Sequence, residues 1–305
     1  MKSFLTTLLL LAVPLLATAQ LISNPYPPVP AAMAVAGAYT AAAIGAEAPF
    51  YNPAGLAYGK GTEGRFAYQQ PWSMVGISHL SAAGYTTLPR KFGGIALGVQ
   101  SLGTRSDGHT LAAETEAYLA HGIMLQKDIH SSLAFGYTLK LINYDLGESV
   151  ANDQGVSQNL GSSTTFGLDV GATAQLWDRF TLGGSFKNIN QPQLGANLKR
   201  DLPRMISGGL CYQPYYGVRT TLDIERVISG ETQFKGGINA TVVKPLDIRF
   251  GVMSNPNSFT AGFGLHWREL VIDYAFIYHS VLNPSHLIGV GFNLDKSLAD
   301  IWQAK

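Results

Sequence analysis

The chain has 305 residues, with 21 Lys and Arg against 20 Asp and Glu, one cysteine and 34 glycines. Charged residues make up 13% of it, about half the usual globular share of about 25%. A balance this close to neutral leaves no basic footprint for a nucleic acid, and Cys211 alone cannot form an intramolecular disulfide.

Residues 1–19 are expected to be a secretory signal. Lys2 supplies the positive start, residues 4–16 are apolar, and Ala17-Thr18-Ala19 before Gln20 is an A-x-A cleavage site. No later stretch reaches the roughly 18 apolar residues of a membrane helix. A secreted chain so poor in charge points to a bilayer crossed by strands, each needing about 9–11 residues with one apolar face. The expected location is the outer membrane of a Gram-negative-type bacterium, with its lipid as the first partner.

Residues 20–62 are expected to form a periplasmic arm and a plug. The lead-in LISNPYPPVP is too rich in proline for regular helix. The stretch 31–57, AAMAVAGAYTAAAIGAEAPFYNPAGLA, is almost free of charge and built of small residues. Such residues bury too little apolar area to form a core alone, but they can fill a space already enclosed. One or two helical turns fit 31–48, with Pro49 and Asn52-Pro53 expected to end them.

From residue 63 the pattern has period two, the mark of strands with two different faces. In the segment 165–176, Phe166, Leu168, Val170, Ala172, Ala174 and Leu176 share one face, while Thr165, Gly167, Asp169, Gly171, Thr173 and Gln175 share the other. The predicted strands are 63–70, 73–87, 92–103, 114–126, 131–144, 164–176, 179–188, 203–213, 216–227, 233–243, 246–254, 258–268, 270–278 and 285–294. That is about 14, with tight connections at one end and longer polar ones (104–113, 145–163, 190–202) at the other, as in a single-chain outer-membrane barrel. The fold expected is all-β: a transmembrane antiparallel β-barrel over 63–294, the Ala-rich plug inside its lumen, and a periplasmic tail at 295–305. A soluble sandwich also alternates, but its outward polar face carries many Lys and Glu. Here that face is mostly Gly, Ser and Thr.

No catalytic signature is present: no G-x-S-x-G, no H-E-x-x-H, no Walker sequence and no paired cysteines. Neither an enzyme nor a cofactor is expected. The glycines Gly262 with Gly264 and Gly289 with Gly291 lie inside strands, where they mark the close approach of another backbone. The charges Lys140, Asp169, Lys187, Arg219, Asp223, Glu225, Lys235, Asp247, Arg249, Arg268 and Asp273 fall on the lumen face. They form either a transport path or ion pairs that tie the plug and cross-link strands, and the small free space of a filled barrel favours the second. Trp177, Trp267, Tyr212, Tyr215 and Tyr216 lie near tight turns, as an aromatic girdle would.

The run Phe50-Tyr51-Asn52-Pro53-Ala54-Gly55-Leu56-Ala57 resembles the N-terminal hatch motif of the FadL outer-membrane superfamily. Asp273-Tyr274-Ala275-Phe276, then Leu282-Asn283-Pro284-Ser285-His286, looks like the PorV/PorQ branch, as does Lys187-Asn188 before a long loop ending in Leu202-Pro203. The resemblance implies a 14-stranded barrel with its N-terminal segment inside. It implies, first, a partner-binding component of type IX-like secretion or surface attachment, with secretion-system or exported proteins as partners. The alternative is a hatch-gated transporter of hydrophobic small molecules. The chain departs from the fatty-acid transporters in its shorter hatch.

Overall fold

The computed structural model describes residues 27–89, 91–106, 109–147, 149, 159–195, 199–228 and 230–294. The segments expected as signal (1–19) and tail (295–305), and much of the 145–163 loop, lie outside the described residues.

Sixteen strands follow the N-terminal segment: β1 (Thr62–Gln70), β2 (Ile77–Thr87), β3 (Gly94–Ser106), β4 (His109–Lys127), β5 (Ser131–Asp145), β6 (Ser162–Leu176), β7 (Phe180–Lys187), β8 (Gln193–Leu194), β9 (Arg200–Asp201), β10 (Met205–Tyr215), β11 (Val218–Val227), β12 (Thr232–Val243), β13 (Leu246–Met253), β14 (Ser258–Trp267), β15 (Leu270–His279) and β16 (Ser285–Leu294). All but β8 and β9 pair with their chain neighbours in one closed antiparallel barrel of fourteen strands. β1 seals it against β16, from Thr62 opposite Leu294 to Gln70 opposite His286, so the barrel itself has no open edge.

Polarity is inverted relative to a soluble protein. Phe166, Leu222 and Phe250 are 49%, 56% and 56% exposed, while Asp169, Asp223 and Arg249 on the other faces of the same strands are buried. That is the pattern of a barrel whose exterior meets hydrocarbon. Among the described residues no helix is long and apolar enough to cross a membrane.

Most strand limits fall within two residues of the sequence expectation, and the larger departures are at the β3–β4 connection and at the start of β2. The 104–113 connection is not a loop: β3 and β4 continue through it, with Arg105 opposite Thr110 and Ser106 opposite His109. The second strand starts at Ile77 rather than 73, because Pro71–Ser73 forms a helical turn in which Trp72 and Ser73 both take positive φ (52° and 50°).

The stretch 27–58 runs through the lumen as short turns: Pro30–Met33, Gly45–Glu47, Ala48–Tyr51 and Pro53–Tyr58. Asn52-Pro53 ends the Ala48–Tyr51 turn as expected, with Asn52 extended before the proline, whereas Pro49 lies in the first turn of that element, where no amide donor is needed. The side chain of Asn52 caps the last turn, its Oδ1 accepting from Ala54 N at 3.1 Å. Wall glycines admit the plug. A Cβ on Gly136 would overlap the Pro53 carbonyl, and one on Gly183 would overlap that of Thr40. Gly262 faces the Ala34 methyl and Gly289 the Pro30 ring, while Gly264 and Gly291 make room for the Arg249 and Arg65 side chains.

Candidate functional site: the plug and the cavity above it

Wall side chains bind the plug mainly through its backbone. Asp223 Oδ2 accepts from Thr40 N at 2.8 Å, and Lys187 Nζ donates to the Phe50 carbonyl at 2.6 Å. Thr260 Oγ1 accepts from Ala36 N and donates to the Ala34 carbonyl, both at 3.0 Å. Tyr85 donates to the Leu56 carbonyl at 3.1 Å and Ser81 to that of Pro28 at 3.0 Å. The hatch residues Asn52, Pro53, Ala54, Gly55 and Leu56 are all buried. Asn52 Nδ2 lies 2.9 Å from the Thr40 carbonyl and 3.0 Å from both the Ala172 carbonyl and Thr173 Oγ1. A Cβ on Gly55 would overlap the Ala43 carbonyl, so the turn closes on the plug itself.

Most of the other charges named above pair across strands. Lys140 Nζ sits 3.1 Å from Asp169 and donates to Asn188 Oδ1 at 2.9 Å. Lys235 pairs with Glu225 at 2.7 Å. Arg249 lies 2.5 Å from Asp273 and 3.5 Å from Asp247, which also meets His266 at 3.2 Å. Arg219 is half-buried beside Tyr39 and Asn239. Arg268 is placed elsewhere: it stands exposed at φ 54° in the tight turn after Trp267, because β14 ends one residue before it. Trp177, Trp267, Tyr215 and Tyr216 are exposed at the tight-turn end, and Tyr212 stacks on Phe180 with ring centroids 4.6 Å apart.

Sequence reading missed a second charged set. Glu47 of the plug accepts from Tyr39 OH at 3.0 Å and lies 3.8 Å from Arg65, while Glu63 accepts from Ala46 N at 3.1 Å. Burial pushes the Glu47 carboxyl above its usual range, against the pull of Arg65. Period-two parity would have placed Glu63 and Arg65 on the lumen face of β1.

At the loop end a short ribbon packs against the wall. The ribbon of β8 and β9 folds inward, and Leu194 and Leu202 bury against Ile142 and Tyr144. A cavity of about 210 Å³ lies among the β1–β2, β13–β14 and β15–β16 connections. Met33 of the plug, Met253 and Ile277 are buried apolar residues of its lining, and Trp72, Val281 and Leu282 line it from the loops. Gln69, Ser258, His279 and Ser285 also line it. The Pro71–Ser73 turn is fastened beside it: Trp72 N donates to Ser285 Oγ at 2.7 Å, and Ser73 Oγ to the Pro284 carbonyl at 2.7 Å. Among the described residues no His, Cys, Asp and Glu group could hold a metal ion.

The barrel superposes on solved structures of outer-membrane channels. With the CymD monoaromatic hydrocarbon channel the TM-score is 0.64 at 14% identity, covering 90% of this chain and 99% of that one. With the Pseudomonas putida toluene transporter TodX it is 0.61 at 12% identity, over 88% and 98%. With a Pseudomonas aeruginosa FadL homologue it is 0.55 at 10% identity, over 87% and 98%. At such identities the likeness shows the fold, a closed outer-membrane-type barrel. A family described as "F plasmid transfer operon, TraF, protein" matches residues 100–219. No curated protein matches the chain at the sequence level.

Proposed function

We propose that this protein is an outer-membrane channel for small hydrophobic molecules, gated by its own N-terminal plug. One observation carries the reading: the apolar cavity at the loop end rests directly on Met33 of the plug. A molecule that leaves water for this cavity already touches the element that must yield for it to pass. Two of the superposed structures are named hydrocarbon channels or transporters, which agrees with this reading. The wall grips the plug through separate hydrogen bonds spread along its length, each worth about 1–3 kcal/mol, so one part of the plug can be displaced without releasing the rest.

The PorV/PorQ reading, a partner-binding component of secretion, draws its contact surface from the loops 145–163 and 190–202. The second of these directs Leu194 and Leu202 inward instead of offering them to a partner. The channel reading therefore ranks first.

The test is uptake in a Gram-negative host whose outer membrane otherwise resists apolar solutes. Expression of the full chain is expected to raise the rate of labelled toluene entry over a host carrying an empty vector. No rise, with the barrel shown to be folded in the outer membrane, overturns the reading. Removing residues 31–56 is expected to make the barrel leak small polar solutes as well.

A further inference from the structure

We infer that the loop-end cavity takes a neutral one-ring aromatic molecule bearing a hydroxyl, a phenol rather than a bare hydrocarbon. The inference deepens the channel reading and rests on it for the purpose of the site. Binding itself is argued from the cavity alone.

Size comes first. A cavity of about 150 Å³ suffices for benzene, and this one is about 210 Å³. The extra room corresponds to a ring with one or two small substituents. Lining character comes second. Met33 and Met253 bring two polarizable thioethers, and Trp72 an indole. Sulfur–ring and ring–ring contacts favour an aromatic ligand over an aliphatic one of equal area.

The polar groups decide the rest. Among the described residues no Asp, Glu, Lys or Arg lines the cavity, so a carboxylate or ammonium ligand would enter with its charge unpaired, at a large desolvation cost. Ser285 is already engaged, accepting from Trp72 N and lying 3.1 Å from His279 Nε2. Two other lining residues are not satisfied. Gln69 and Ser258 are 4% and 8% exposed. Gln69 Oε1 and Ser258 Oγ are buried without a hydrogen-bond partner. Native interiors rarely leave such atoms unpaired. Both oxygens are turned away from the cavity as placed, and a turn about the terminal side-chain bond of Gln69 or Ser258 is what would present one to a ligand. A ligand hydroxyl can then donate to Gln69 Oε1 and accept from the Ser258 hydroxyl, which toluene cannot do. A site built to bond a hydroxyl discriminates strongly against the analogue that lacks it.

The experiment is calorimetric titration of the full chain in detergent with p-cresol, toluene and p-toluate, which share one ring and one methyl. Each value is corrected for partition into protein-free micelles. The expected result is p-cresol binding about tenfold more tightly than toluene, the worth of one good hydrogen bond, with p-toluate not bound. Gln69→Leu and Ser258→Ala are each expected to cut that preference below about threefold. Their folding is checked by heat-modifiable migration. Toluene binding as tightly as p-cresol overturns the inference and leaves the channel reading intact. A preference that survives in both variants also overturns it, since the hydroxyl would then be read elsewhere. If neither ring binds, the cavity is not the site, and the uptake assay decides the channel reading separately.

Discussion

Lys187, carried on β7, donates from Nζ to the main-chain carbonyl of Phe50 at 2.6 Å, so a wall side chain grips the plug by its backbone. Asp223 on β11 does the converse to Thr40 N. The plug is made of Ala and Gly because it must thread a narrow lumen, and such residues carry no polar side chains to anchor themselves. The barrel supplies the polar partners, and the plug presents only the amides and carbonyls that every residue has. Nothing in the plug need therefore match a particular wall residue, apart from a few positions such as Asn52.

Asn52 is where the plug reaches out with its own side chain. Asn52→Ala removes a fully buried amide whose nitrogen faces Thr40 O, Ala172 O and Thr173 Oγ1. The expected loss is about 1–3 kcal/mol, the cost of leaving buried partners unsatisfied. Asn52→Asp is expected to lose more. It keeps an acceptor for Ala54 N, but it turns a carboxylate toward two carbonyl oxygens. Denaturant unfolding of the purified barrel gives the order wild type, Ala, Asp; an Asp variant as stable as wild type would contradict it.

The wall was legible in the sequence because lipid selects one face of every strand. Phe166, Leu222 and Phe250 announce that face by parity alone, and the same parity places Asp169, Asp223 and Arg249 opposite. Parity does not say where a strand stops, so Arg268 was counted inward although β14 ends at Trp267. Nor does it name partners. The targets of Lys187 and Thr260 are main-chain atoms, which leave no trace in the identity of the plug residues. The loop-end cavity was invisible for another reason. Gln69, Met33 and Ser258 come together only when β1 closes on β16. The turn at Trp72 and Ser73 takes positive φ without a glycine to signal it.

Glycines in the wall separate a packing role from a conformational one. Gly136→Ala sets a methyl against the Pro53 backbone, which has no flexible end to yield. The plug is expected to shift or leave, raising small-solute leakage through reconstituted protein and costing about 1–3 kcal/mol. Gly84→Ala is the control: a Cβ there meets nothing within 4 Å. It is expected to leave leakage unchanged and stability within about 0.5 kcal/mol. Equal leakage from the two variants would mean that Gly136 does not seat the plug.

On the outer surface, Phe166→Arg puts a charge where the barrel meets hydrocarbon. The expected cost is about 2–4 kcal/mol near the bilayer midplane, falling toward the interfaces. Folding into vesicles and unfolding by denaturant measure it. The same substitution at Trp267, exposed at the tight-turn end, is expected to cost about 1 kcal/mol or less. A cost at Phe166 no larger than at Trp267 would move the membrane band away from the middle of β6.

Arg249 answers two carboxylates, Asp273 at 2.5 Å and Asp247 at 3.5 Å, in a buried setting. Arg249→Leu leaves both without it, but unequally. Asp247 keeps Thr241 Oγ1 at 2.6 Å and His266 Nε2 at 3.2 Å. Asp273 loses the ion pair that neutralises it. Breaking a buried pair by removing one partner costs about 3–5 kcal/mol, whereas replacing both by apolar groups is often neutral. Adding Asp273→Leu to Arg249→Leu is therefore expected to recover most of the stability, while adding Asp247→Leu recovers little. The coupling energies from the two double-mutant cycles, read from denaturant midpoints, distinguish the partners. Recovery by Asp247→Leu instead would make Asp247 the carboxylate that depends on this arginine.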